Sequence, residues 1–382
     1  MLRAMRPAAV AVTIVVLAVP IAFGGACRAA GAAPPASGGD GGSSAARTVA
    51  ETVHSVGRLD RRDPAGPRFS WPGTTVEAAF TGTGIDVRLR DTGTSFFSVA
   101  IDGNTPSVLS TSRVTDRYTL ASNLPAGRHS VVLRKRTESS VGVVQFLGFF
   151  PQGGTLVEAS WPALPRRIEF IGDSVTCGYG DLGTDPAQHF SPELEDETVA
   201  YGALTAQALG AEHTAIAYSG IGVHRDRWGR TSEQMPARFG RALADDPTSR
   251  QPFATPEPDI VVVNLGTNDF AQGDPGLGFE QSYAAFVRTL RGAYPNAWIV
   301  CTVSPSLTDS YPPGAMSRTK AAAAIRNVVD QRSSQGDRRV VAFTFDEQRL
   351  SDGFGSDYHP SARTHRRMAD QLAPVLRSLA RW

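Results

Sequence analysis

Lysine is almost missing from this sequence: Lys135 and Lys320 are the only two, and arginine supplies nearly all of the positive charge. Neither lysine follows a glycine, so the Gly-Lys pair of a phosphate-binding P-loop is absent. Cysteine is equally scarce, and three in 382 residues exclude a disulfide scaffold. There is no H-E-x-x-H string and no cluster of cysteine ligands, so the expected metal complement is none and no cofactor is implied. An excess of charge is lacking too. Lys+Arg number 38 against 37 Asp+Glu, a net charge of +1, which gives no electrostatic drive toward nucleic acid or an anionic membrane. The G-x-S-x-G elbow of ordinary α/β-hydrolases is also absent.

Long apolar runs are confined to the N-terminus. Arg3 and Arg6 precede sixteen uncharged residues, 8–23, which Pro20 interrupts. A spanning helix needs about 20 apolar residues, so this pattern predicts a signal peptide over residues 1–32 and no integral membrane span after processing. Cleavage is expected after the small residues 30–32. Acylation of Cys27, giving a cell-surface lipoprotein with a lipid anchor, is the alternative to soluble secretion. Residues 33–47 are rich in Ala, Gly, Pro and Ser and predict a low-complexity linker.

The remainder has two rhythms. Residues 48–162 predict an all-β sandwich of jelly-roll type. Apolar and polar residues alternate over 85–90, further strands are expected over 75–80, 96–102, 129–136 and 143–150, and glycine-rich turns separate them. Residues 163–382 predict an α/β domain. Apolar strands over 168–171, 214–218, 260–264, 298–303 and 340–345 alternate with helical stretches over 199–209, 279–294 and 319–331. A last helix after Ser361 aligns Met368, Leu372, Val375, Leu376 and Leu379 on one face. Alternating β and α implies a parallel sheet covered on both faces, with chemistry at the carboxyl ends of its strands.

Four segments at those ends or in late loops are polar or glycine-rich beyond the needs of packing. Ser174 follows the first strand within Gly172-Asp173-Ser174, although serine is also common at turns and helix caps. Gly220 follows the second strand, where a glycine permits close backbone approach or simply a tight turn. Asn268 lies in Gly266-Thr267-Asn268-Asp269, where its amide can donate to an oxyanion or close an Asx-turn. His359 precedes the last helix, as a general base or as an ordinary packing histidine.

Together and in this order, these four blocks resemble the nucleophile, glycine, asparagine and base blocks of the SGNH (GDSL-type) hydrolases. The string IEFIGDSVTCGYG over 168–180, with FTGTGIDVRLRDTG and RKRTESSVGVVQFLGF before it, resembles carbohydrate esterase family 2. That resemblance runs from about residue 57 onward. It implies a three-layer α/β/α SGNH domain with a parallel sheet, preceded by the jelly roll, and removal of O-acetyl groups from polysaccharides of the xylan or glucomannan type. It further implies Ser174 as nucleophile, His359 as base, and an oxyanion hole from the N–H groups of Ser174 and Gly220 with the Asn268 amide. The expected partner is an acetylated polysaccharide or oligosaccharide, and the expected state a monomer.

One position departs from the wider superfamily pattern. The aspartate often found three residues before the histidine is Ser356 here, and the acid stands at Asp357, two before. The base still needs an orienting group, which can be a backbone carbonyl, Asp357 or another residue. Tyr358 and Trp228 are candidates for stacking on a sugar ring, with packing as the alternative. Cys177 and Cys301 are expected as two buried free thiols. Of the remaining histidines, only His224 lies near a block. Two other readings stay open: an esterase, lipase or thioesterase for another acyl ester, and a carbohydrate-binding surface protein without turnover.

Overall fold

The computed structural model describes residues 50–160, 164–251, 253 and 256–382. The leader over 1–32, Cys27, the linker over 33–47 and the domain junction at 162/163 fall outside the described residues.

All five strands expected in the first domain are present, as Thr75–Gly82, Gly84–Asp91, Phe96–Ile101, Gly127–Lys135 and Val144–Gln152. They pair antiparallel in two sheets. One sheet runs Leu156–Val157, Thr75–Gly82, Gly127–Lys135, Phe96–Ile101, Ser107–Ser110, with Val53–Val56 also on Thr75–Gly82. The other runs Arg68–Phe69, Val144–Gln152, Gly84–Asp91, Arg117–Ala121. Alternate residues fill the space between them, among them Val76, Ala78, Phe80, Ile85, Val87, Leu89, Val131 and Leu133. The strands Ser107–Ser110 and Arg117–Ala121 were not legible in the sequence. Both lie at sheet edges and are half-buried or exposed, and they set only Leu109, Tyr118, Leu120 and Ala121 against the core.

In the second domain five parallel strands are ordered Glu212–Ala217, Arg167–Gly172, Ile260–Asn264, Trp298–Val303, Val340–Thr344. Apolar clusters cover both faces of this sheet. Helices Leu277–Ala293 and Ser317–Ser334 pack on one side, and Tyr201–Leu209 with Ala362–Ala380 on the other. In the last helix Met368, Leu372 and Leu376 are buried and Val375 and Leu379 half-buried, as the spacing predicts. Pro374 lies inside that helix on its exposed side. The first strand in the chain lies between the second and the third. Their connections therefore leave in opposite directions, and a crevice opens at their carboxyl ends.

The two domains share buried contacts. Trp71 of the sandwich belongs to the α/β core and donates from its indole to the Arg241 carbonyl at 3.1 Å. Arg58 and Glu169 form a buried ion pair at 3.2 Å, and Arg136 and Asp196 another at 3.0 Å. Among the described residues no helix is long and apolar enough to cross a membrane.

Candidate active site

The crevice assembles three of the four blocks at strand ends. Asp173, directly after Arg167–Gly172, caps the one-turn helix Ser174–Cys177 by accepting from the Val175 N–H at 3.1 Å. Ser174 is thus the first helical residue, and its own N–H has no acceptor within the helix. Gly220 follows Glu212–Ala217 at φ +81°, a left-handed conformation that strains any residue with a Cβ. Its carbonyl accepts from the Arg227 N–H at 3.0 Å, while its N–H makes no hydrogen bond among the described residues. Asn268 follows Ile260–Asn264, and its amide donates to the Ile221 carbonyl at 2.9 Å and to Asp173 Oδ2 at 3.3 Å.

His359 arrives from the fourth block. Its Nε2 stands 2.9 Å from Ser174 Oγ, across 185 residues of chain. Its Nδ1 lies 3.2 Å from the carbonyl oxygens of both Ser356 and Asp357. Carbonyl oxygens only accept, so Nδ1 carries the hydrogen and Nε2 is the free base, toward which the serine hydroxyl donates. The backbone is bent to achieve this: Asp357 and Tyr358 have φ of +50° and +62°, uncommon for residues with side chains and typical of strained functional turns. Burial pushes the His359 imidazole down to about 4, so it is neutral at ordinary pH.

Asp357 meets the imidazole through its backbone carbonyl, and its carboxylate is engaged elsewhere. Its carboxylate accepts from the Tyr179 hydroxyl at 3.0 Å and the Phe190 N–H at 3.0 Å, and meets His189 Nδ1 at 2.9 Å. It clamps the loop whose Tyr179 ring lies against His359, with ring centres 4.2 Å apart, and against Phe190. Tyr179 escaped the sequence reading although it lies in the most specific string. Its role as a wall for the imidazole depends on a turn 180 residues away.

A cavity of about 680 Å³ opens over these groups, lined by Ser174, Gly220, Asn268 and His359 together with Tyr179, Arg227, Tyr311 and Tyr358. Tyr358, a candidate for stacking on a sugar ring, lines the cavity and is 65% exposed. Tyr311, 69% exposed, was not singled out in the sequence because nothing around it forms a motif. Trp228 stands outside the lining, beside Gly220, with the guanidinium groups of Arg227 and Arg230 over its ring at 4.8 and 4.7 Å. This candidate ring thus carries two cation–π contacts and is otherwise exposed. His224 faces Ser282 Oγ at 3.0 Å and does not line the cavity. Cys177 and Cys301 are buried and unbridged, as expected.

The arrangement has close counterparts. Residues 55–160 match the family model described as carbohydrate esterase 2 N-terminal, and residues 170–367 match the GDSL-like lipase/acylhydrolase family. A solved family two carbohydrate esterase from Clostridium thermocellum, in complex with cellohexaose, superposes with a TM-score of 0.80 at 37% identity, over 85% of this chain and 98% of that one. The cellulase/esterase CelE of Acetivibrio thermocellus is 37% identical over 85% of this chain, which spans only 39% of that larger protein. An acetylxylan esterase / glucomannan deacetylase of Cellvibrio japonicus is 28% identical over 86% of this chain and 89% of its own length.

Proposed function

Since the chain belongs to carbohydrate esterase family 2, we propose that it is an exported serine esterase that removes O-acetyl groups from xylan- or glucomannan-type polysaccharides through an acetyl-serine intermediate. The observation that carries this reading is the 2.9 Å contact between His359 Nε2 and Ser174 Oγ at the floor of an open cavity. His359 takes the hydroxyl proton as Ser174 Oγ attacks the acetyl carbonyl. The carbonyls of Ser356 and Asp357 then face the proton on Nδ1 and stabilise the imidazolium. The developing oxyanion is received by the N–H groups of Ser174 and Gly220. The Asn268 amide joins them by giving up its longer contact to Asp173. The imidazolium returns its proton to the departing sugar oxygen, and water, activated in turn by His359, releases acetate.

The named activity of the Cellvibrio relative supports the polymer class. The basic, apolar N-terminal residues support export. The test is acetate release by the protein lacking residues 1–32 from acetylated xylan, acetylated glucomannan and an aryl acetate, with Ser174→Ala as control. Acetate that disappears in the variant supports the reading, and the ratio among substrates names the polymer. A folded wild type silent on all three rejects it.

A further inference from the structure

An oxyanion donor is only as good as the loop that aims it. Downstream of Gly220 that loop is fixed from within the α/β domain. The Arg227 N–H holds the Gly220 carbonyl, and the buried Asp269 carboxylate accepts from the N–H groups of Val223, His224 and Arg225 at 2.7–3.0 Å. Upstream the hold comes from the other domain. Glu138, just after the sandwich strand Gly127–Lys135, is 1% exposed, and its Oε2 accepts from the Ser219 N–H at 2.8 Å, 81 residues away. The same oxygen lies 3.8 Å from Cys177 Sγ in the nucleophile helix. Glu138 is itself pinned. Its N–H donates to Glu195 Oε2 at 2.8 Å, and its carbonyl accepts from the buried Lys135 ammonium at 2.9 Å.

A buried carboxylate is costly, and the sandwich's own strand pairing makes no use of this one. Its side chain instead meets Ser140 next to it, the glycine loop and the nucleophile helix. The peptide before Ser219 is fixed by Glu138 and the peptide after Gly220 by Arg227. Between them hangs one peptide, whose N–H makes no hydrogen bond among the described residues, and whose Gly220 lines the cavity and would allow the peptide to turn over. We propose that Glu138 of the β domain is the positioning residue of the oxyanion loop, holding the Gly220 N–H toward the reacting carbonyl. The jelly roll is then part of the catalytic apparatus as well as a neighbour of the cleft. This inference rests on the esterase reading above.

Three variants test it: Glu138→Gln, which keeps shape and an acceptor oxygen; Glu138→Leu, which keeps bulk without one; and Glu138→Asp, which withdraws the carboxylate by one methylene. On an aryl acetate, Glu138→Leu is expected to lose kcat by about 10- to 100-fold with KM within about 2-fold, because an oxyanion donor acts on the transition state. Inactivation by an aryl phosphonate, whose phosphoryl oxygen needs the same donors, slows in proportion, and Glu138→Gln restores most of both rates. Amide exchange over residues 218–222, measured without substrate, rises in the Leu variant and stays low in the Gln variant. If Glu138→Leu does not fold, Glu138→Asp is expected to show the same pattern. Wild-type kcat in the Leu or Asp variant, a loss confined to KM, exchange unchanged in that loop, or a rise spread over the whole molecule each overturns the proposal. A wild type silent on every ester rejects the esterase reading, and the exchange comparison still decides whether Glu138 holds the loop.

Discussion

At the scale of residues, the His359 Nδ1 meets backbone carbonyls and no side-chain acid. The Asp357 carboxylate faces Tyr179, His189 and Phe190 and is spent on holding a loop. Asp357→Asn keeps the backbone carbonyl that meets Nδ1 and is expected to cost less than about 10-fold in kcat/KM. His359→Ala removes the base itself and is expected to cost about 10³-fold or more. Steady-state rates on an aryl acetate decide this, and equal losses would make Asp357 a triad acid. The pH profile carries a second expectation. His359 acts as a base only when neutral, and burial depresses it to about 4. Log kcat/KM should therefore stay level from pH 7 to about 5 and fall with unit slope below about 4. A limb near 6.5, the value of a free imidazole, would mean that the ring is solvated in the working enzyme.

At the scale of elements, the loop after Gly220 is set by close packing that only glycine permits. A Cβ on Gly222 would lie 2.3 Å from the Arg225 carbonyl oxygen and 2.3 Å from Asp269 Oδ2. The first contact is backbone, and the second is the carboxylate that fastens the loop, so neither can yield cheaply. Gly222→Ala is expected to destabilise the fold by about 1–3 kcal/mol and to lower kcat more than it raises KM. Thermal melts alongside steady-state kinetics check both. A variant with wild-type melting and turnover would show that the loop is free to adjust.

At the scale of the whole molecule, the sandwich and the α/β domain are held together by buried groups of both kinds. Trp71 is 1% exposed within the core of the other domain, and Arg58 neutralises the buried Glu169. Trp71→Ala is expected to cost about 3–5 kcal/mol. Arg58→Met is expected to cost a similar amount, because it leaves Glu169 buried without its partner. Residues 164–382 expressed alone would expose that surface. Denaturant titration should give one cooperative transition for the full protein, and two separated transitions would contradict this coupling.

The sequence alone determined the two rhythms, the five inner strands of the sandwich, the five strands of the parallel sheet and the four polar blocks, because apolar periodicity and strand-end motifs are local properties of the chain. Ser174, Gly220, Asn268 and His359 were legible for that reason. The edge strands Ser107–Ser110 and Arg117–Ala121 were not, since each is short and sets only one or two large apolar residues against the core. Neither were Tyr179 against the His359 ring, Tyr311 in the cavity, or Glu138 beneath Ser219, because each meets the other groups of the site across a long stretch of chain. Whether Asp357 or a carbonyl orients His359 was likewise open in the sequence. Only the folded turn, with Asp357 and Tyr358 both left-handed, shows two backbone carbonyls at Nδ1 and the Asp357 carboxylate engaged elsewhere, because that carboxylate's partners Tyr179 and Phe190 come from a distant part of the chain.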